Sequence, residues 1–300
     1  MATLSHDKVS LNGLAFSTTL ATAPAGVDVR FRCLFIHGFA ECIDLYDDYF
    51  THMANLGIEF LSFDQRGAGH TSEQRSDWGV TTEAAIYNDI DAIIEKFVLP
   101  KLDDGIPWFF IGFSMGGGIS LTYAIKGKHR EKFSGYIALA PLILLHPSTQ
   151  PNAVLYHLLK GVGKIIPKFQ YNTGLNVDFV TRDEAIREAI KTHELFHATG
   201  TLGQLILMFD RGFKLQKQNF LDGTIEKPIL VIHGTGDQIN DWRASKKYVE
   251  NVPVTNKTFV EIPEGYHMLT HDLADVRAKT EDTMIEWMSK NSLSRSSAKL

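Results

Sequence analysis

Trp108-Phe109-Phe110-Ile111-Gly112-Phe113-Ser114-Met115-Gly116-Gly117-Gly118 decides how this chain folds. The apolar, aromatic run at its start reads as a buried strand. Gly117, Gly118, Ile119, Leu121, Tyr123 and Ala124 read as the helix that follows. Between them stands Gly-x-Ser-x-Gly, a pattern that belongs at a sharp strand–turn–helix junction. There the serine takes a strained backbone conformation that lifts its hydroxyl above the sheet. Small residues are needed two before and two after it, because a Cβ at either place would strike the neighbouring strand or helix. Ser114 is the candidate nucleophile.

Outward from this junction, β-rich runs alternate with helical patterns, which predicts an α/β fold with a mostly parallel central sheet flanked by helices. Strands are expected at Phe31–Ile36, Glu59–Asp64, Trp108–Ile111, Gly135–Ala140, Pro228–His233 and Lys257–Ile262, with an antiparallel hairpin near Val9–Leu20 before them. Helices are expected at Leu45–Asn55, Thr82–Val98, Met115–Gly127, Trp242–Glu250 and Leu273–Met288. The alternation breaks once. From Leu145 to Ile225 the pattern offers no strand, only helical segments at Ala153–Ile166, Asp183–Thr199 and Leu202–Gln218. Residues 1–144 and 226–300 thus read as one core domain, and 145–225 as a helical cap inserted into it. The apolar faces of the cap, with Val154, Leu155, Leu158, Leu159, Val162, Ile165 and Ile166 at helical spacing, either pack on the core or meet an acyl chain or a lipid surface.

The bulk numbers fit. Three hundred residues with 44% hydrophobic and 22% charged side chains suit a globular enzyme. A net charge of −5, with no stretch rich in Lys and Arg, argues against nucleic-acid binding. Two cysteines, Cys33 and Cys42, are too few for a disulfide framework, so a reducing compartment is expected. Residues 1–10 lack the apolar stretch of a secretory leader, no apolar run is long enough to span a membrane, and the Asn256-Lys257-Thr258 sequon then reads as chance. Ala298-Lys299-Leu300, after a serine-rich stretch, is similar to the Ser-Lys-Leu address read by a peroxisomal import receptor, so a peroxisomal location is expected; a cytoplasmic or lipid-droplet location is the alternative.

A serine hydroxyl needs an imidazole to take its proton, and the imidazole needs a carboxylate to fix its tautomer. For this fold class the chain order is Ser, then acid, then His, each in a loop after a strand. Asp237 follows the strand 228–233 within His233-Gly234-Thr235-Gly236-Asp237; Asp241 competes but reads as the cap of the next helix. His267 follows the last strand in Pro263-Glu264-Gly265-Tyr266-His267, whereas His271 reads as structural. An oxyanion needs two N–H donors. Met115, directly after the nucleophile, supplies one. Phe39, in His37-Gly38-Phe39-Ala40-Glu41, supplies the other.

Three other patterns carry less. His193-Glu194-Leu195-Phe196-His197 matches H-E-x-x-H on an expected helix, which would put both imidazoles on one face. The position of a third ligand is Gly203, so no catalytic metal is expected. Asp64 and Arg66 are expected to brace loops. Cys42, beside the oxyanion loop, is either an accessible thiol or a small buried hydrophobe.

Taken together, these residues resemble the α/β-hydrolase superfamily and, within it, the monoacylglycerol lipases, particularly the fungal ones. The resemblance runs from about Val9 to Met288. It rests on His37-Gly38-Phe39-Ala40-Glu41, Phe63-Asp64-Gln65-Arg66-Gly67-Ala68-Gly69, Gly112-Phe113-Ser114-Met115-Gly116-Gly117-Gly118, Ser134-Gly135-Tyr136-Ile137, Asn172-Thr173-Gly174-Leu175 and His233 to Asp241. It implies an α/β-hydrolase fold and a serine hydrolase that cleaves the acyl ester of a monoacylglycerol to fatty acid and glycerol, without a cofactor. It maps the triad onto Ser114, Asp237 and His267, and the oxyanion hole onto Phe39 and Met115. Phe113 stands where animal members usually carry His, and the Ala-Lys-Leu ending is not a general family feature. A peroxisomal acyl-CoA thioesterase or biosynthetic acyl hydrolase on the same scaffold is the alternative, and a non-catalytic lipid-binding protein the remote one.

Overall fold

The computed structural model describes residues 1–218 and 224–293. The Ala298-Lys299-Leu300 ending lies outside them. Ten strands and eight α-helices are described. An opening hairpin, β1 (Thr3–Leu11) and β2 (Leu14–Thr22), turns at Asn12-Gly13, both with positive φ. This is the two-residue loop whose twist suits a hairpin. Then β3 (Phe31–Ile36), α1 (Asp47–Asn55), β4 (Ile58–Phe63), α2 (Glu83–Ile93), β5 (Trp108–Phe113), α3 (Met115–Lys126) and β6 (Gly135–Leu139) alternate. The helix expected to run from Thr82 to Val98 gives way after Ile93 to a π-helical turn and then a tight turn holding Pro100, which has no N–H to continue the ladder.

Between β6 and the next sheet strand come α4 (Ala153–Ile165), β7 (Gln170–Asn172), α5 (Glu184–Thr192), β8 (Thr199–Thr201) and α6 (Leu202–Lys217). Two expectations fail here. The insertion does contain strands, since β7 and β8 pair antiparallel as a ribbon of their own. Each has only three residues, too few for a visible alternation. And α5 stops at Thr192 rather than Thr199. His193 adopts an extended backbone (ψ 121°), and its Nδ1 accepts the Leu195 N–H at 3.2 Å, a local bond that competes with helix continuation. The chain returns through β9 (Ile229–Gly234), α7 (Trp242–Asn251), β10 (Lys257–Ile262) and α8 (Ala274–Leu293).

Eight strands form one sheet in the order β1-β2-β4-β3-β5-β6-β9-β10; β2 alone runs against the others, pairing antiparallel with both β1 and β4, and every other pair is parallel. The central strands are buried throughout. Their alternate side chains therefore split between two cores, as a sheet covered on both faces requires. On one face Leu34, Leu61, Trp108, Phe110, Tyr136 and Val231 pack under α2, α3 and α7. On the other, Phe35, Phe60, Phe109, Ile111, Ile137 and Ile232 pack under α1 and α8.

The parallel strands all end on one edge of the molecule, where backbone strain collects. Ala40, Ser114, Ala140 and Glu264 are non-glycine residues with positive φ, and each stands just beyond a strand's C-terminal end. Such conformations cost about 1–3 kcal/mol each and persist where the surroundings over-determine them.

Candidate active site

Ser114 sits at φ 54°, ψ −115°, between the last residue of β5 and the first of α3. Its glycine neighbours earn their places by distance. A Cβ on Gly112 would lie 2.1 Å from the Gly116 carbonyl oxygen, and one on Gly116 would lie 2.1 Å from the Ile36 carbonyl oxygen. Strand, helix and β3 are thus in backbone contact around the serine. The Ser114 N–H donates to Leu139 O (2.9 Å), and its own carbonyl receives the N–H groups of Leu142 (2.8 Å) and Gly118 (3.1 Å). Those bonds hold the turn against its strain.

Asp237 and His267 meet as the sequence expects. His267 Nδ1 lies 2.7 Å from Asp237 Oδ2. The carboxylate is buried and takes three more donors: His233 Nε2 on Oδ2 (2.9 Å), and the Ile239 and Asn240 N–H groups on Oδ1 (2.7 and 2.9 Å). Burial alone would raise this carboxyl. The charge of His267 and the hydrogen bonds from His233 and His267 more than offset it and hold the group well below the usual carboxylate range. Asp241 does cap α7, accepting the Arg243 N–H at 3.0 Å. The His267 ring packs on that of Phe113, centroids 4.8 Å apart, which brings it to the residue preceding the serine.

The loop after β3 comes up against Ser114: a Cβ on Gly38 would stand 3.2 Å from Ser114 Cβ. Its shape is set by two groups. His37 is buried, which lowers it to about 4 and keeps it neutral; Nδ1–H donates to Gly38 O (2.8 Å) and Nε2 accepts the Gln65 N–H (3.0 Å). Glu41 Oε2 accepts the Gly38 N–H and the Tyr46 hydroxyl, each at 2.7 Å. Burial pushes Glu41 up to about 7, against the lowering effect of those two bonds and of His267. Among the described residues neither the Phe39 nor the Met115 N–H meets an acceptor. Asp64 braces the same edge, accepting the Ile43 and His70 N–H groups at 2.8 Å each, while Arg66 pairs with Asp89 (2.8 and 2.9 Å).

The insertion docks on both functional loops. Over the β3 loop, the His197 N–H donates to Ala40 O (3.3 Å) and Gly200 packs on the Phe39 ring. Over the histidine loop, the Met268 N–H donates to Val180 O (2.7 Å), Thr181 Oγ1 to His271 O (2.6 Å), and Arg182 pairs with Asp272 (3.1 Å).

The H-E-x-x-H premise fails with the shortened α5. His193 turns to Cys42, and His197 stacks flat on Trp78 with centroids 3.7 Å apart. The two imidazoles do not share a helix face. Two residues were missed: His233 and Glu41. Both stand in motifs quoted above, but only the fold shows that His233 reaches the same oxygen as His267, or that Glu41 bends back onto Gly38.

A family model described as serine aminopeptidase, S33, matches residues 28–274. The chain belongs to this family of α/β-hydrolases. Among its relatives is the monoglyceride lipase of Saccharomyces cerevisiae, 36% identical over 270 residues that cover 88% of this chain and 86% of the relative. The crystal structure of a soluble variant of that lipase with a substrate analog superposes with a TM-score of 0.89 at 33% identity, covering 95% of this chain and 94% of the other. The monoacylglycerol lipase of Paleococcus ferrophilus, 22% identical over 93% of this chain and 99% of its own, shares the fold (TM-score 0.75). The α/β-hydrolase has the mostly parallel sheet and flanking helices expected from its sequence.

Proposed function

We propose that this α/β-hydrolase is a serine esterase that cleaves the single acyl ester of monoacylglycerols to fatty acid and glycerol. The observation that carries this is the Asp237–His267 pair at 2.7 Å beside the strained Ser114 turn, in a chain so close in sequence and shape to a monoglyceride lipase. Ser114 Oγ attacks the acyl carbon while His267 Nε2 takes its proton. Asp237, already bonded to Nδ1–H, stabilises the imidazolium. The carbonyl oxygen becomes an oxyanion and accepts the Phe39 and Met115 N–H groups. Collapse expels glycerol, which leaves with the proton from His267. Water, deprotonated by the same nitrogen, then splits the acyl–Ser114 ester to free the acid. The chemistry uses side chains and backbone alone.

Leu142, whose N–H is bonded to Ser114 O, begins a row with Ile143, Leu145, Phe209 and Phe213 between β6 and α6. The insertion serves as a cap over the site. On its outer side Val154 (80% exposed), Leu158 (62%) and Ile165 (82%) of α4, with Phe169 and Tyr171, form an apolar face that we assign to a lipid surface. No helix among the described residues is long and apolar enough to cross a membrane. Peroxisomal import through Ala298-Lys299-Leu300 rests on sequence alone; a fluorescent fusion that stays diffuse with the tripeptide intact and free at the C-terminus ends it. The function is tested by glycerol release from a long-chain monoacylglycerol. Turnover that disappears in Ser114→Ala supports it; unchanged turnover in that variant overturns it.

A further inference from the structure

Two features that the ester chemistry leaves unused meet at one place. Cys42 closes the loop after β3, and His193 follows α5 in the insertion. The sulfur lies 3.7 Å from Nδ1 of that imidazole and 3.8 Å from Nε2. Asp44 joins them: one donor atom from each of the three residues lies within 4.8 Å of the other two. On a tetrahedral zinc, with bonds of about 2.3 Å to sulfur and about 2.0 Å to nitrogen or oxygen, neighbouring donors stand about 3.3–3.6 Å apart. The Cys42–His193 spacing is already close to that, and small side-chain rotations bring Asp44 in.

The donor set selects the ion. One thiolate, one imidazole and one carboxylate suit Zn²⁺ or Cd²⁺ and not Mg²⁺ or Ca²⁺, and three protein ligands leave a fourth position for water. Asp44 Oδ2 also holds His70 Nε2 at 2.6 Å, an outer partner of the kind that orients metal-binding carboxylates. The Leu195 N–H on His193 Nδ1 is a long contact (3.2 Å) that an ion can replace.

Two of the three donors face solvent space, while Cys42 is buried just behind them. Asp44 and His193 line a surface cleft of about 470 Å³ between α1, α5 and the start of α8. Asp47, Asp48 and Glu281 add negative charge to its walls, opposed by Arg277. Three buried polar atoms of the same cleft have no hydrogen-bond partner among the described residues: Asp47 Oδ1, Glu281 Oε1 and Nε2 of His271, a side chain only 7% exposed. The remaining wall of the cleft is apolar, from Leu45, Tyr49, Ile186, Ile190 and Met268.

We propose that Cys42, Asp44 and His193 bind a zinc-class divalent cation, which clips the insertion to the oxyanion loop and slows turnover. Binding replaces the Cys42 S–H bond with a metal–sulfur bond and releases that proton to solvent. The ion ties residue 193 to residue 42, next to Glu41, whose carboxylate sets the Gly38 N–H, and close to the His197–Ala40 bond. Only the slowing of turnover rests on the esterase reading; the binding does not.

The test titrates the chelator-treated full chain with Cd²⁺ and follows the ultraviolet thiolate-to-cadmium band. It should saturate at one ion per chain, and Zn²⁺ should displace it. Cys42→Ser should abolish the band, His193→Ala and Asp44→Asn should each weaken binding at least about tenfold, and Cys33→Ala should keep it. Thermal midpoints in chelator establish that each variant is folded, and zinc should raise the midpoint of the wild type but not of Cys42→Ser. A wild type without the band, or a band of equal strength in Cys42→Ser, overturns the site. Zinc inhibition of ester turnover that survives Cys42→Ser overturns the clip while leaving the esterase reading intact.

Discussion

Helices α3 and α4 are written in nearly the same apolar alphabet and meet opposite fates. In α3 every residue from Met115 to Ile125 is buried, between the sheet and α6. In α4 only Tyr156 and Gly163 are buried, and Val154, Leu155, Leu158, Val162 and Ile165 face outward. The difference lies in what covers them. Close packing of α3 is enforced by glycine: backbone touches backbone at Gly112 and Gly116, so the serine turn cannot shift without moving β3. Among the described residues nothing covers the outer face of α4. The buried helix fixes the chemistry, and we read the exposed one as deciding where that chemistry is delivered.

That contrast can be broken by mutation. Gly116→Ala sets a Cβ 2.1 Å from a backbone oxygen, so it should cost well over about 3 kcal/mol of stability, or prevent folding; a soluble, active Gly116→Ala protein would break the account of the turn. The opposite outcome is expected on α4. Leu158→Ser with Ile165→Ser should leave the thermal midpoint and turnover of a soluble short-chain ester within error, yet reduce binding to phospholipid vesicles about tenfold or more. Equal vesicle binding by both proteins would remove the lipid-surface assignment.

Smaller effects come from groups that position the proposed triad and its loop. His233→Ala removes one of two imidazoles from Asp237 Oδ2. It should lower kcat by about 10–100-fold, in the range of a lost orienting bond. Acid inactivation should also set in at a higher pH, because Asp237 loses a bond that holds its carboxyl low. A stability loss with an unchanged pH profile would make His233 merely structural.

Glu41 titrates the other way. Its folded value, about 7, lies above the ordinary carboxyl range, so the folded chain holds a proton that the unfolded chain releases above about 4.5. Stability from this group is full below that value and is lost as pH rises through 7. Between pH 5.5 and 8 the loss amounts to about 2 kcal/mol. Chemical denaturation of Glu41→Gln at the two pH values should show that much less dependence than the wild type.

Much of this was legible beforehand because it is local. Each residue of the proposed triad stands in a short glycine-marked loop after an apolar run, so Ser114, Asp237 and His267 could be named without knowing the sheet order. What stayed hidden is non-local or very short. β7 and β8 exist only because Thr199–Thr201 finds Gln170–Asn172. The end of α5 is set by a side chain turning back on its own backbone at His193. The second imidazole on Asp237 comes from His233, four residues earlier, through a loop folded tightly enough to aim both at one carboxylate. Cys42 and His193 are far apart in sequence, and nothing in either segment announces the other.

The most direct test of the central claim is fatty-acid release from a long-chain monoacylglycerol and from the matching acyl-CoA, side by side, with Ser114→Ala as control. A monoacylglycerol hydrolase should turn over the glyceride at least about tenfold faster than the thioester, and neither in the variant. Faster, serine-dependent cleavage of the thioester would contradict the substrate reading, and turnover that survives Ser114→Ala would contradict the mechanism.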